Sequence, residues 1–214
     1  MSKVSGELTW REARRQNARA ELLAVAWEMV REGGLGALSL RQLAGRAGIT
    51  TPTVYAYFES KNAILDAMFG EAAESFAQLT AQPLGDGPPK EQLVTQAQRF
   101  ATFCTSDVAR YQLLFQHVIP GFSPSPESYA PAVRALDRVR QVLERVGLRD
   151  PRHLDLWTAL INGLVDQQIS NDPGGDRWIR LIDDVVTMFL AHCANDKRAI
   201  DQQNRPDPPH PLRR

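Results

Sequence analysis

The amino-acid sequence predicts an all-α fold, because helix signals recur along the chain whereas strand signals are scarce. No alternation of β-branched and polar residues lasts long enough to indicate a strand, and no hairpin turn joins two such runs. Apolar residues instead repeat at helical spacing between short breaks that are rich in proline and glycine. With 214 residues, of which 43% are hydrophobic, the chain is long enough to bury a sizeable core.

Helix-start patterns divide the first third of the chain into four helices. The first helix is expected to begin at the capping box that Thr9 opens and to stop at Gly33 and Gly34. The next three are expected to begin at Ser39, Thr51-Pro52 and Ser60. Pro52 is placed at the first helical position, where its missing N–H costs nothing.

Five longer helices are predicted after a loop at residues 81–89 that is rich in proline and glycine. Their expected ranges are 90–105, 107–117, 126–146, 151–171 and 174–194. Residues 195–214 are polar and contain four prolines, which predicts a disordered tail.

The sequence carries none of the common signatures of a catalytic or metal site. Its four histidines lack metal-ligand spacing, and no nucleophile elbow, phosphate loop or dinucleotide fingerprint is found. We therefore expect a protein that is not an enzyme and that needs neither a cofactor nor a metal ion.

Signals for a membrane or for secretion are also missing from the sequence. The N-terminal residues are polar, no apolar run is long enough to span a bilayer, and the two cysteines show no disulfide pattern. These observations predict a cytoplasmic protein.

Residues 38–61, LSLRQLAGRAGITTPTVYAYFESK, describe two short helices that meet in a tight turn at Gly48-Ile49-Thr50. Apolar side chains of both helices are expected to share a small core with the first helix, while polar and aromatic residues stay outside. A recognition helix for the DNA major groove is built in this way. Residues 1–61 also carry nine Lys/Arg against six Glu, a net charge of +3 in a chain whose total is zero. A basic end of this kind favours a DNA partner.

The segment from Arg19 to Lys61 resembles the DNA-binding domain of the tetracycline-repressor (TetR) family. The family pattern I-L-x-A-A-x-x-L-F corresponds to Leu22–Val30 here. The pattern G-x-x-x-x-[ST]-[LV]-x-x-[IL]-A-x-x-A-G-V corresponds to Gly34–Ile49, and S-x-x-x-L-Y-x-[HY]-F-x-x-K corresponds to Thr50–Lys61. The resemblance covers about a fifth of the chain nearly position for position.

The resemblance implies that nine residues contact DNA, namely Ser39, Arg41, Thr50, Thr51, Pro52, Thr53, Tyr55, Tyr57 and Lys61. Phosphate contacts are expected from Ser39, Tyr57 and Lys61. Contacts to base edges or neighbouring phosphates are expected from Thr51, Pro52, Thr53 and Tyr55. Pro52 stands where the family often has glycine, and it leaves an apolar surface for a thymine methyl group.

Further contacts to the DNA backbone are expected from Arg41 and from either Arg14 or Arg15.

The resemblance also implies how the chain is organised. It predicts an N-terminal three-helix DNA-binding domain with a helix-turn-helix (residues 1–60) and a C-terminal helical ligand-binding and dimerisation domain (61–194), followed by the tail (195–214). Residues 155–168 and 178–190 have apolar side chains at helical spacing, and Gly163 allows close helix approach. We expect these last two long helices to pair with those of a second copy in a four-helix dimer interface.

A small-molecule effector is expected to bind in the C-terminal part. Candidate ligand residues combine aromatic walls with a few polar groups, as small-molecule pockets do. They are Phe100, Phe103, Tyr111, Phe115, His117, Trp157, Asn162 and Gln167.

Taken together, these features predict a repressor that binds a palindromic operator in double-stranded DNA as a homodimer and that a small molecule releases. Two alternatives stay open at this point. One is a TetR-like activator, and the other is a helical small-molecule-binding protein that does not regulate transcription.

Overall fold

A computed structural model describes the backbone of residues 2–203 and the side chains of residues 10–196. Within the described backbone, regular structure is helical throughout, as the sequence predicts. The α-helices are α1 (Ser2–Gly33), α2 (Leu40–Arg46), α3 (Thr51–Tyr55), α4 (Lys61–Ala81), α5 (Pro89–Ser106), α6 (Val108–Phe115), α7 (Pro126–Arg145), α8 (Pro151–Asn171) and α9 (Ile182–Gln203). Short 3-10 turns occupy Leu35–Ala37 and Ile179–Leu181.

Two predicted helix starts differ from the structure. α1 begins at Ser2, so Thr9 lies inside the helix and does not cap it. α9 begins at Ile182 rather than at residue 174. The side chain of Gln168 explains the delay, since its Oε1 accepts the backbone N–H groups of Trp178 (2.8 Å) and Ile179 (3.3 Å) and so holds them outside the helix.

The predicted disordered tail needs a correction for residues 195–203. α9 continues through them to Gln203, because the first proline that would interrupt it is Pro206. Residues 204–214, where the rest of the predicted tail falls, lie outside the described residues.

The chain forms two compact units that are each discontinuous in sequence. The first unit is built from the chain up to Gln82 together with Thr102–Arg138, and the second from Pro83–Ala101 together with the chain from Val139 onward. The predicted domains 1–60 and 61–194 are defined by expected function, whereas the two units are defined by their internal contacts. The domain boundaries therefore stay predictions.

The first unit joins the N-terminal helices to α4 and α6. Val30, Leu43, Val54 and Phe58 are all buried in its core. Their burial gives the short helices α2 and α3 the apolar support that the sequence pattern predicts.

A charged cluster fastens α1 to α6 at the edge of this core. The Asp107 carboxylate caps α6 by accepting the N–H of Arg110 at 3.1 Å. Its second oxygen accepts two hydrogen bonds from the Arg31 guanidinium of α1, at 3.0 and 2.7 Å. The guanidinium groups of Arg31 and Arg110 each lie 5.6 Å from the centre of the Trp27 ring. Because the Asp107 side chain is only 8% exposed, this ion pair is better shielded from water than a surface pair.

The second unit is organised around the pairing of α8 with α9. The ring of Trp157 lies 5.3 Å from that of Phe189, and Ile161, Val165 and Val186 are buried beside them.

The structure contains no helix among residues 2–203 that is long and apolar enough to cross a membrane.

Candidate nucleic-acid interface

The turn between α2 and α3 is set by a glycine in the left-handed region. Gly48 has a φ of +67°, which allows the chain to reverse direction immediately after α2. The N–H of Ile49 then bonds to the carbonyl of Ala44 at 3.0 Å, a helix-ending arrangement of the Schellman type. The predicted tight turn is therefore formed, and it fixes where α3 begins.

α3 is a single helical segment of five residues that is capped at its first turn. The hydroxyl of Thr50 accepts the N–H of Thr53 at 3.4 Å and lies 2.8 Å from the hydroxyl of Thr53. Thr51 is the first helical residue, so Pro52 occupies the second position rather than the predicted first one. The substitution of an N–H by the proline ring is still harmless there, because first-turn N–H groups have no acceptor within the helix.

Two arginines of α1 bind the segment that follows α3. Arg19 donates from Nη1 to the carbonyl of Tyr57 at 2.6 Å, and its guanidinium carbon lies 4.3 Å from the centre of the Phe58 ring. Arg15, one helical turn earlier, donates to the carbonyl of Ala56 at 3.3 Å. Sequence analysis missed this bracing role, for which the only signal is the i, i+4 spacing of the two arginines.

The nine predicted DNA contacts lie together on this helix pair and its two flanking caps. Five of them are exposed, namely Arg41, Thr50, Pro52, Thr53 and Tyr55. The other four are half-buried, namely Ser39, Thr51, Tyr57 and Lys61. The buried residues Val54 and Phe58 hold the opposite side of α3, so that its polar face is turned to solvent.

Helix caps present two further polar groups beside α3. Ser39 caps α2 and accepts the N–H of Gln42 at 3.4 Å, whereas Ser60 caps α4 and accepts the N–H of Ala63 at 3.1 Å. Lys61 is the first residue of α4, where the positive end of the helix favours an anion.

An exposed ion pair links α2 to α1 behind this surface. Arg46 of α2 lies 2.6 Å from the carboxylate of Glu32. Hydrogen bonding and charge attraction from Arg46 lower the pKa of Glu32 below its ordinary value. The charge of Arg46 is therefore directed to the protein rather than to a ligand.

The eight predicted ligand residues are divided between the two units. Phe103, Tyr111 and Phe115 lie in the first unit around Phe76, which the sequence analysis did not select. The ring of Phe76 is 5.3 Å from that of Phe103 and 5.4 Å from that of Phe115, and Tyr111 is 5.7 Å from Phe115. His117 is exposed just after α6, with a φ of 45°.

The other four belong to the second unit, and three of them are engaged within it. Trp157 packs on Phe189, as described above. Asn162 donates to the carbonyl of Thr158 at 2.8 Å, and Gln167 is exposed and accepts from Asn171 at 2.8 Å. The remaining residue, Phe100, is half-buried on α5.

Two short helices joined by a tight turn, the second capped and polar on its outer face, define a helix-turn-helix of the DNA-binding class. Residues 22–68 match the family model described as bacterial regulatory proteins of the tetR family. This segment of the chain is therefore similar to the tetR family, in agreement with the resemblance found in the sequence.

One relative and two solved structures illustrate the likeness. The HTH-type transcriptional repressor KstR2 of Rhodococcus jostii (strain RHA1) is 31% identical over 109 residues, which are 47% of this chain and 52% of the relative. The chain thus spans about half the length of that relative.

Two of the structures with a similar helical fold are described as regulators. A tetR-family transcriptional regulator from Streptomyces coelicolor has a TM-score of 0.66 and 20% identity, over 88% of this chain and 85% of that chain. The regulator FadR from Bacillus subtilis, in complex with stearoyl-CoA, has a TM-score of 0.59 and 18% identity, over 80% and 97%. At these identities the likeness shows a shared fold.

The conformation of Gly48 leads to a first prediction. Gly48→Ala should lower the free energy of unfolding by about 1–2 kcal/mol, since a Cβ is strained in the left-handed region. No atom lies within 4 Å of a Cβ built at Gly48 or at Gly45, so crowding plays no part. Gly45→Ala, inside α2, is the matched control and should stabilise by about 0.5–1 kcal/mol. Urea unfolding at one protein concentration measures both, and equal shifts in the same direction would contradict the account.

The bracing of α3 leads to a second prediction. Arg19→Met keeps the apolar stem but removes the bond to Tyr57 and the contact with Phe58. We expect a loss of about 1–2 kcal/mol in the free energy of unfolding, because a charged hydrogen bond and a cation–π contact disappear together. Arg15→Met, which removes a longer and exposed bond, should cost less than about 0.5 kcal/mol. If urea unfolding gave the same loss for both variants, Arg19 would have no special bracing role.

Proposed function

We propose that the chain is a transcriptional repressor that binds a palindromic operator as a homodimer and is released by a small molecule. The observation that carries the proposal is the exposed polar face of α3, held in a helix-turn-helix within the segment that matches the family model. In this proposal residues 1–60 form the DNA-binding domain, and residues 61–194 form the ligand-binding and dimerisation domain.

The polar face of α3 supplies the groups that read bases. Thr53 and Tyr55 offer hydroxyl groups, and Pro52 offers an apolar surface; all three are exposed. The neighbouring Thr50 hydroxyl, 2.8 Å from that of Thr53, limits the orientations that the Thr53 hydroxyl adopts. A preoriented hydroxyl selects among base edges more sharply than a free one, because less rotational entropy is lost on binding.

Groups around α3 supply phosphate contacts. Ser39 and Lys61 stand at the N-terminal ends of α2 and α4, where unpaired backbone N–H groups favour an anion. Tyr57 lies between them in sequence, and its backbone is held by Arg19. Arg41 is exposed on α2 and adds a further cation. These contacts fix the register of α3 on the duplex without reading its sequence.

A dimer follows from the small size of α3. Five residues reach too few base pairs to select a site in a genome, whereas two copies bound to a palindrome double the contacts. The second unit carries an apolar face suited to this purpose, since Leu156, Leu160 and Met188 of α8 and α9 are 39%, 40% and 71% exposed. Gly163 is exposed on the same helix as the two leucines, and no atom of the chain fills the space beside it.

The aromatic cluster of Phe76, Phe103, Tyr111 and Phe115 is the part of the predicted ligand set for which the contacts give most support. Such rings offer an apolar wall to an organic molecule. The structure of FadR from Bacillus subtilis, a protein of the same fold, holds stearoyl-CoA. We propose an effector with an apolar group that packs on this cluster.

Release of DNA by the effector requires that the two protein states differ in effector affinity. Tyr111 and Phe115 lie on α6, whose first turn is fastened to α1 by Asp107 and Arg31. An effector that shifts α6 would therefore act on the helix that braces α3.

The experiment that tests the function is selection of DNA from a random duplex pool by the full chain, followed by titration of the enriched duplex at two salt concentrations. We expect a palindromic sequence, bound by a dimer with salt-dependent affinity. Thr53→Ala should reduce the preference for this sequence over random DNA, because a base contact is lost. Tyr57→Phe should instead weaken binding to both and lower the salt dependence.

An outcome without any enriched sequence would contradict the proposal and favour a small-molecule-binding protein that does not regulate transcription. Equal effects of the two variants on selected and random DNA would overturn the assignment of α3 as the recognition helix. The enriched duplex also provides the assay in which candidate effectors are screened for release.

The proposed dimer face gives a separate prediction. Leu160→Asp should shift the protein from dimer to monomer in sedimentation velocity at micromolar concentration, because a charge would be buried without a partner. Val133→Asp is the matched control, since Val133 is also exposed (53%) but lies on α7. A monomeric parent protein would contradict the proposed dimer. Equal dissociation of both variants would show that the dimer does not depend specifically on α8 and α9.

A further inference from the structure

α1 extends well beyond the part of it that packs in the first unit. Among the described side chains of the helix, Leu22 is the first that is buried, whereas those from Trp10 to Asn17 are exposed. The helix nevertheless begins at Ser2. A helical stretch whose side chains are exposed gains little stability from packing, so a partner that covers it would stabilise it. We call residues 2–19 of α1 the arm.

One face of the arm is basic. Arg11, Arg14, Arg15 and Arg19 are spaced i, i+3, i+4 and i+8, which places them on the same side of the helix. Glu12 is the only acidic residue between positions 10 and 19. The remaining side chains of this stretch are small or polar apart from Trp10, whose ring centre lies 4.8 Å from the Arg14 guanidinium carbon.

Contacts within the first unit direct this basic face to the end of the recognition helix. Arg15 and Arg19 bond to the carbonyls of Ala56 and Tyr57, which directly follow α3. Arg14 stands beside Arg15, and Arg11 lies one turn further from the buried part of α1, about 6 Å along the helix axis. Arg11 and Arg14 are both exposed. The arm therefore carries two further guanidinium groups outward from the C-terminal end of α3.

We infer that the arm binds the phosphate backbone of duplex DNA on the flank of the site that α3 reads. The inference rests on the proposed function, because it concerns the same bound duplex. Guanidinium groups suit this ligand, since their planar donors match phosphate oxygens in pairs. A membrane surface does not fit, because an interfacial helix needs a broad apolar face and Trp10 is the one large apolar side chain among residues 10–19.

The inference makes affinity depend on DNA that lies outside the selected sequence. From Ser2 to Arg15 the arm is about 20 Å long, the rise of about six base pairs. A duplex trimmed to the selected sequence lacks the flanking phosphates, whereas a duplex with about ten extra base pairs on each side supplies them. Each phosphate contact raises the salt dependence of log K by about 0.9.

The test compares the full chain with Arg11→Gln/Arg14→Gln on the trimmed and the extended duplex at two salt concentrations. Glutamine keeps the helix propensity and a polar side chain but removes the charge. Arg15 and Arg19 are left unchanged because they brace α3. The control is Arg145→Gln/Arg149→Gln, which removes the same charge from exposed positions of the second unit.

We expect the arm variant to bind the extended duplex at least about fivefold more weakly than the parent, with a salt slope lower by about 2 for each protomer. On the trimmed duplex it should match the parent, and the control should match the parent on both. Binding of the arm variant equal to that of the parent or of the control on the extended duplex would overturn the inference. An equal loss on both duplexes would also overturn it, because the arm would then act on α3 itself.

The failure of the proposed function gives a different result. If the parent protein bound neither duplex in preference to random DNA, the repressor proposal would fall together with the inference. If the parent bound the selected sequence with the same affinity at both lengths, only the inference would fall.

Discussion

A helix of five residues cannot hold its conformation alone, because nucleation costs more than so few hydrogen bonds return. α3 is therefore shaped by what surrounds it. Gly48 sets the direction in which the chain enters α3, and the Thr50 side chain caps the first turn. Arg19 holds the residues that follow α3 by donating to the carbonyl of Tyr57. Val54 and Phe58 anchor the inner side in the core. The residues on the outer side of α3 do not pack in the core, and they are therefore available for a ligand.

Local signals in the sequence predict much of this arrangement. A serine or threonine before an apolar pattern indicates a helix start, and the caps at Ser39 and Ser60 agree with that rule. Local signals fail where a distant group competes. The turn that delays α9 depends on the buried side chain of Gln168, ten residues before Trp178. The link from Arg19 to Tyr57 spans 38 residues, and the i, i+4 spacing of Arg15 and Arg19 does not identify its partner.

The predicted ligand residues show the same limit of local signals more strongly. Aromatic residues at helical spacing are predicted to be buried, but spacing does not tell which rings meet. Phe103 and Phe115 lie against Phe76 of α4, a helix outside the predicted ligand set, whereas Trp157 meets Phe189 of the second unit. The nine predicted DNA contacts all fall within one continuous stretch of 23 residues, from Ser39 to Lys61, so the helix-turn-helix alone brings them together.

Asp107 has a consequence for how motion passes through the first unit. One oxygen of its carboxylate starts α6 by capping Arg110, and the other holds Arg31 of α1. Hydrogen bonds of this kind weaken steeply when they lengthen by a few tenths of an ångström. Unwinding or sliding of the first turn of α6 relative to α1 would therefore break these hydrogen bonds. One carboxylate at the edge of the core therefore couples the position of α6 to that of α1.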